Sequence, residues 1–342
     1  MKEILKRFAE RKSLSEAEMK QAMQHILDNE EVSDSEIAAI MMGLVMKGET
    51  AEEIAGIARA MQEKSLRFSK SIPNVIDNCG TGGDGSKSFN ISTTSAFVIA
   101  GAGIPVAKHG NRSITSKTGS ADVLEHLGIS LNLPAEKTEE ILEDIGIAFL
   151  FAPNVHPHIK KIMKVRNDLR IPTTFNLIGP LTNPVQLETQ VLGIYRRDMV
   201  TMFAEVLKTL GRKRAVVLNG AGYMDEASLQ GDNYLAILDN GAVTEKILHP
   251  EEVGLPVYSN DAIRGGDSKE NAEILLKILK GEKGPQRDTV LLNAGIGIYT
   301  GGKADSIQKG IDLAKESIDS GAALAKLEQL VTASKSVKEQ VI

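Results

Sequence analysis

Three times in the first seventy residues the chain repeats one pattern: a hydroxyl residue, Glu three positions on, then apolar residues at helical spacing. The segments are "SEAEMKQAMQHIL" from Ser15, "SDSEIAAIMMGLV" from Ser33 and "TAEEIAGIARAMQ" from Thr50. Each predicts a helix whose Ser or Thr side chain satisfies early amides while Glu18, Glu36 or Glu53 reaches back to the cap. The short polar links between them predict a compact, mostly antiparallel cluster. The middle helix carries Ile37, Ile40, Met41, Leu44 and Val45 with little polar relief. Ordinary core packing accounts for that pattern, and burial against a second subunit is the sharper alternative.

From Asn74 the pattern changes. Short apolar runs, "NVIDN", "IPVAKH", "IAFLFAP", "TQVLGIY", "RAVVLNG" and "TVLLNAG", alternate with helical segments such as "SADVLEHLG", "DMVTMFAEVLKTLG" and "SKENAEILLKILKG". That alternation predicts a largely parallel sheet covered by helices. "NYLAILDNGAVTEKIL" reads instead as a hairpin, and the stretch from Asp305 closes the chain as helix. The expected class is therefore α/β, with a small α-helical domain (1–70) and a larger α/β domain (71–342) built on a mostly parallel central sheet covered by helices. "HPHIKKIMKVRNDL" and the Pro- and Gly-rich "FNLIGPLTNPV" interrupt the rhythm near 160–185. They are expected to return to the helical part and form the other wall of a cleft.

Composition narrows the partners more than the fold. With 342 residues, 42% of them hydrophobic, the chain can build a sizeable core. A formal net charge of −5 argues against a broad nucleic-acid footprint, so any basic patch must be local. No apolar run approaches the ~20 residues of a membrane span and the N-terminus is charged throughout, so a cytoplasmic protein is expected, with no membrane partner. Cys79 is the one cysteine, which excludes an intramolecular disulfide and reads as a small residue at a tight strand end. The six histidines show no zinc spacing, and no G-x-S-x-G elbow is present.

The candidate chemistry lies in loops that follow strands, where open α/β sheets collect ligands. "NVID" is a strand, "CGTGGDGSKS" its loop, and a helix begins around Asn90, Ser92 and Thr93. Glycines let successive amides point at an anion, and the helix N-terminus adds partial positive charge. The loop matches neither the P-loop nor the dinucleotide fingerprint. Taken alone it would be a connector more often than a ligand site. A second loop, "KHGNRSITSKTGSADVLE", also follows a strand and carries Lys108, His109, Arg112 and Lys117 among hydroxyls. Two such loops point to one polyanion held between them. Asp225 and Glu226, adjacent in "NGAGYMDEAS", offer oxygen ligands for Mg²⁺ beside that anion.

Together "DNCGTGGDGSKSFNIS", "AKHGNRSITSKTGSADVLEHLG", "FLFAPNVHPHIKKIMKVRNDL", "FNLIGPLTNP" and the Asp-Glu loop, in this order across essentially the whole chain, closely resemble the anthranilate phosphoribosyltransferases. The resemblance implies a homodimer formed through the helical part. It implies Mg²⁺-dependent use of phosphoribosyl pyrophosphate, joining the anthranilate amine to C1 of ribose 5-phosphate with loss of pyrophosphate on the way to tryptophan. It assigns Gly80, Gly83, Asp84, Ser88, Asn90, Ile91, Ser92 and Thr93 in the first loop to the donor. In the second loop it assigns Lys108, His109, Gly110, Asn111, Arg112, Ser113, Ser116 and Ser120, with Lys108 stabilising the departing pyrophosphate. Ser92, Asp225 and Glu226 would serve the metal, and Gly80, Asn111 and Arg166 would address anthranilate.

Three positions depart from the family pattern. Ser88 stands where Thr is usual, Asn219 where His is common, and Arg170 where Gly is frequent after the Arg166 helix, which bears on the acceptor side. Two other readings belong to the same scaffold: a pyrimidine nucleoside phosphorylase, and a noncatalytic nucleic-acid-binding relative. The complete "KHGNRS" loop and the Asp-Glu pair favour the transferase over the first, and the acidic charge over the second.

Overall fold

The computed structural model describes residues 1–112 and 118–335. Four helices open the chain: α1 (Lys2–Ala9), α2 (Glu16–Asp28), α3 (Asp34–Lys47) and α4 (Ala51–Glu63). All three capping boxes close, with Ser15, Ser33 and Thr50 accepting from the amides of Glu18, Glu36 and Glu53 and each Glu accepting the cap amide in return. Such caps contribute about 1 kcal/mol each. Helix α2 lies on α4 closely enough that a Cβ at Gly56 would sit 2.5 Å from the Glu16 carbonyl oxygen. Ile37, Ile40, Met41 and Leu44 of α3 are buried within the chain, whereas Val45 and Met46 stand exposed. Core packing inside one chain therefore accounts for most of that helix.

The rest of the chain builds one seven-stranded sheet. Its elements are β1 (Ile76–Gly80), α5 (Ile91–Gly101), β2 (Val106–Gly110), α6 (Ser120–His126), α7 (Ala135–Ile145) and β3 (Ile147–Phe151). Then come α8 (Ala152–Val155), α9 (Lys160–Leu169), α10 (Phe175–Ile178), β4 (Thr189–Gly193), α11 (Val200–Thr209) and β5 (Arg214–Asn219). A hairpin of β6 (Asn233–Asp239) and β7 (Ala242–Leu248) follows, and α12 (Ser268–Leu279), α13 (Pro285–Thr300), α14 (Ile307–Asp319) and α15 (Ala322–Lys335) complete the described chain. The strand order is β3-β2-β1-β4-β5-β6-β7, parallel through β5 and antiparallel for the last two. The expected hairpin turns at Asn240 and Gly241, both with positive φ, the pair of conformations that a two-residue turn between twisted strands demands.

One expected strand is a helix. "TVLLNAG" lies inside α13, where Val290, Leu292, Ala294, Ile296 and Ile298 are all fully buried. An apolar run buried on every side has no periodicity left to distinguish strand from helix. What makes the helix fit is small residues: α14 crosses α13 so tightly that a Cβ at Gly310 would lie 2.2 Å from the Gly295 carbonyl oxygen.

The two faces of the sheet feed two cores. Val216 and Leu218 of β5 join the core formed with α5, α13 and α14, while Ala215 and Val217 join the core that contains α2, α3, α4 and α11. The four opening helices thus share an apolar core with one face of the sheet. Residues after β3 turn back onto them: Lys161 Nζ donates to the Glu30 carbonyl (2.7 Å), Thr174 Oγ1 to Glu49 (2.7 Å) and Gln62 Nε2 to the Leu181 carbonyl (2.9 Å).

Candidate active site

The chain runs outward from β1 through β2 to β3, then returns to place β4 on the other side of β1. A crevice opens at such a reversal, beyond the carboxyl ends of the two strands. Gly80 ends β1 and Gly193 ends β4, paired in register. Asp225 lies across both: a Cβ at Gly80 would come within 2.2 Å of its Oδ2, and one at Gly193 within 1.6 Å of its carbonyl oxygen. The absence of a side chain at these two ends is what admits the acidic loop.

The acidic pair is held from two directions. Asp225 Oδ2 accepts from the Gly82 amide at 2.6 Å, and Glu226 Oε1 from the Ser92 amide at 3.1 Å. Asn90 caps α5 without a side-chain bond, so Glu226 supplies the carboxylate that the helix N-terminus favours. Burial pushes the Asp225 carboxyl well above the ordinary range, with Asp84 and Glu226 adding repulsion. Burial also raises Glu226 to about 7, against the lowering pull of Lys108 and Ser92. Carboxylates crowded this way favour a divalent cation. Among the described residues no three His, Cys, Asp or Glu side chains enclose a metal by themselves. Mg²⁺ characteristically takes only one or two carboxylates, with water and substrate phosphate completing its shell, so the Ser92, Asp225 and Glu226 oxygens fit it.

These groups line a cavity of about 340 Å³. Of the residues expected at the donor site, Gly80, Gly83, Asn90, Ser92, Thr93, Lys108, His109, Gly110, Asn111, Arg112 and Ser120 are on its wall. Lys108 is buried and anchored by Nζ to the Asn78 carbonyl at 2.9 Å. Asn90 Oδ1 accepts from Asn271 Nδ2 at 2.9 Å, which leaves Nδ2 as the free donor of that amide.

The remaining expectations sort differently. Asp84 is off the wall, its Oδ1 taken by the Ser86 amide and hydroxyl at 3.0 Å each. Ser88 pairs in a bridge with Arg264 and accepts from Ser86 Oγ. Ile91 points into the core and its amide donates to the Phe89 carbonyl. Arg112 reaches the cavity but its guanidinium is held by Asp122 and Glu125, which raise its pKa further. Ser113 and Ser116 lie outside the described residues.

A second, mostly apolar cavity of about 550 Å³ adjoins the first, walled by α9 and by residues 152–157 and 175–182. Asn111 and Arg166 line both, whereas Gly80 belongs to the first only. The Arg166 pKa is lowered by burial, the signature of a cation without a carboxylate beside it. His109 also lines both cavities and meets the His156 ring edge-on at 5.2 Å. Burial lowers these imidazoles to about 3 and about 4, so both are neutral. Cys79 lines the first cavity with its thiol pushed up to about 12 by burial, no nucleophile at neutral pH.

Sequence reasoning did not single out Asp77, buried under the site, where it accepts from Asn183 Nδ2 (2.9 Å) and the His109 amide (3.2 Å). Phe175 and Gly179, which line both cavities, belong to the segment "FNLIGPLTNPV" expected as the other wall of a cleft, though neither residue was singled out by itself. A polar residue inside the apolar run "NVIDN" was the available signal for Asp77.

Comparison with known proteins agrees with this architecture. Residues 2–65 match the helical bundle domain of the glycosyl transferase family, and residues 72–324 its a/b domain. The anthranilate phosphoribosyltransferase of Bacillus cereus strain AH820 is 55% identical over 341 residues, covering 100% of both chains. The crystal structure of the Thermus thermophilus enzyme of that name is similar with a TM-score of 0.92 at 40% identity, over 97% of this chain and 99% of that one. The Saccharomyces cerevisiae enzyme in complex with PRPP and Mg is similar at 0.89 and 27% identity, over 98% and 97%. Identity along the whole length and agreement in three dimensions lead to one conclusion: the chain belongs to the anthranilate phosphoribosyltransferase family.

Proposed function

We propose that the chain transfers the phosphoribosyl group of phosphoribosyl pyrophosphate to the amine of anthranilate, releasing pyrophosphate, in tryptophan biosynthesis. The observation that carries this reading is the meeting of two unlike cavities at Asn111 and Arg166. One is the more polar and holds the acidic pair, Lys108 and a helix N-terminus; the other is mostly apolar and suits an aromatic ring.

The reaction breaks the bond from C1 to pyrophosphate and forms a C1–N bond, and the amine gives up a proton. Negative charge grows on the leaving group, so its stabilisation matters more than a strong base. Ser92, Asp225 and Glu226 would hold Mg²⁺, which when bound neutralises charge on the pyrophosphate oxygens. Lys108, fixed by Asn78, places a second cation in the same cavity without reorganisation. Asn90 Nδ2 and the left-handed amide at Gly83 add neutral donors on that wall. Arg166 offers a planar fork to the anthranilate carboxylate, and its desolvation makes an anion welcome. An aromatic amine is already nucleophilic, in keeping with neutral His109 and protonated Cys79.

Loss of anthranilate fluorescence on mixing with the protein, dependent on both phosphoribosyl pyrophosphate and Mg²⁺, is the expected result. Phosphate-dependent cleavage of thymidine or uridine in its place would overturn the assignment. The exposed Val45 and Met46 of α3 support a homodimer through the helical part, which light scattering would detect as twice the chain mass. Among the described residues no helix is long and apolar enough to cross a membrane.

A further inference from the structure

Asn219 ends β5, one strand over from the cavity, and Arg197 starts the short turn Arg197–Met199 that leads into α11. Arg197 Nε donates to Asn219 Oδ1 at 2.8 Å, and a terminal nitrogen lies 3.4 Å from the Gly220 carbonyl oxygen. The same guanidinium lies between two rings, 4.4 Å from the centroid of Tyr223 and 4.0 Å from that of Tyr234. Tyr234 is the register partner of Asn219 on β6, so it forms the fixed side of this sandwich. Tyr223 is the solvent-facing side. It lies two residues before Asp225, is largely exposed, and has φ 62 directly after Gly222 at φ 82. A bulky residue seldom adopts this left-handed conformation, so something must hold it there.

The contacts run from Arg197 to the acidic pair without a gap. With Oδ1 committed to Arg197, the Asn219 amide turns its Nδ2 to the Ile194 carbonyl (2.8 Å) and the Met224 carbonyl (3.3 Å). The Gly220 amide donates to the same Met224 oxygen at 2.9 Å. Met224 immediately precedes Asp225, and Gly220 is packed so closely that a Cβ there would lie 2.1 Å from the Glu226 carbonyl oxygen. The loop from Asn219 to Glu226 is thus closed at its neck by hydrogen bonds and at its tip by the stack. Groups hydrogen-bonded directly to a metal ligand typically change metal affinity by about 10–100-fold when removed, so a residue acting through Asn219 and Met224 is expected at the low end of that range.

We infer that Arg197 is a positioning residue for the Asp225–Glu226 pair, clamping the strained Tyr223 tip and the Asn219 amide so that both carboxylates are set for a divalent cation. This rests on the metal reading of that pair given above. Tyr223 and Asn219 belong to the same device: one supplies the stacking face, the other transmits the guanidinium's orientation to the Met224 carbonyl.

The test compares Arg197→Ala, Arg197→Lys and Tyr223→Phe with the Asp225→Asn/Glu226→Gln double variant, all in the full chain. Binding of Mn²⁺ in the presence of phosphoribosyl pyrophosphate is followed by the electron paramagnetic resonance of free Mn²⁺, and turnover is titrated with Mg²⁺. Arg197→Ala is expected to weaken Mn²⁺ binding and raise the half-saturating Mg²⁺ by about tenfold, with turnover at saturating Mg²⁺ within about threefold of the parent. Arg197→Lys, which keeps the charge but loses the planar fork, should fall between, and Tyr223→Phe, which keeps the ring, should match the parent. Unchanged metal binding in the Arg197 variants, beside a large loss in the double variant, would overturn the inference; so would a drop in turnover with no shift in metal dependence. Should Arg197→Ala not fold, Arg197→Lys decides the question by the same two readouts. If the double variant itself keeps the parent's metal dependence, the metal reading falls and this inference with it.

Discussion

The Glu226 carboxylate accepts the backbone N–H of Ser92 at 3.1 Å, joining residues 134 positions apart in the chain. One contact therefore caps the helix on the wall of the first cavity and fixes the direction of a carboxylate proposed to hold the metal. Burial raises Glu226 to about 7 even against the lowering pull of Lys108 and Ser92, so a divalent cation beside it would favour the charged cap.

Replacing Asp225 with Asn and Glu226 with Gln should depress kcat/KM by at least about 100-fold, since both oxygens offered to Mg²⁺ become amides. Folding should change little, because a desolvated carboxylate already repelled by Asp84 loses a cost when it becomes neutral. Turnover measured beside thermal melting separates the two effects. A variant with the parent's turnover would remove these residues from the metal site.

Arg166→Ala should raise the KM for anthranilate by about 10–100-fold, the scale of a lost charge-assisted pair. The KM for phosphoribosyl pyrophosphate should stay within about threefold, because the Lys108 side of the cavity is untouched. Equal effects on the two substrates would show that Arg166 does not discriminate the acceptor.

Acid stability gives a sign that can be checked. His156 is held down at about 4 in the fold against an ordinary 6.5, so between these values the unfolded chain binds more protons and stability falls as pH drops. Asp77 acts oppositely: raised to about 6 from 3.8, it keeps its proton in the fold and favours folding on acidification through that window. Comparing His156→Gln with the parent cancels the Asp77 contribution. The variant should lack about 3 kcal/mol of the parent's loss between pH 7 and pH 4, read from denaturant melts at each pH. Parallel pH curves for the two proteins would assign the acid limb elsewhere.

Arg170 follows α9 in the left-handed conformation, φ 55 and ψ 23, with its amide donating to the Arg166 carbonyl. That geometry explains why Gly is frequent there: the helix ends on a residue for which a Cβ is a burden. Arg170 lines neither cavity. Arg170→Gly should stabilise the protein by about 1 kcal/mol, roughly 2 °C in Tm, and leave the anthranilate KM unchanged. A changed KM would return Arg170 to the acceptor side, where its departure from the family pattern first suggested it belonged.

Much of the cavity wall was legible because its residues sit in short motifs at strand ends, and loop composition reports what a backbone there can approach. Ser88 and Ile91 lie off the cavity wall because a motif groups neighbours in sequence whether or not their side chains diverge. Ile91 faces the core and Ser88 its own loop. Asp77 was missed because a buried acid within an apolar strand has partners, Asn183 and the His109 amide, only in three dimensions.

Local pattern by itself determined the three capped helices, the α/β alternation, the β6–β7 hairpin and the two small-residue loops at strand ends, because each depends on residues within a few positions of one another. Tertiary structure alone decided that "TVLLNAG" is helical, that the opening helices share a core with one face of the sheet, and that Asp225 occupies the gap left by Gly80 and Gly193. The reason is physical: burial on all sides erases periodicity, and a side chain that fits only where two distant glycines leave room is specified by the packing of three segments at once.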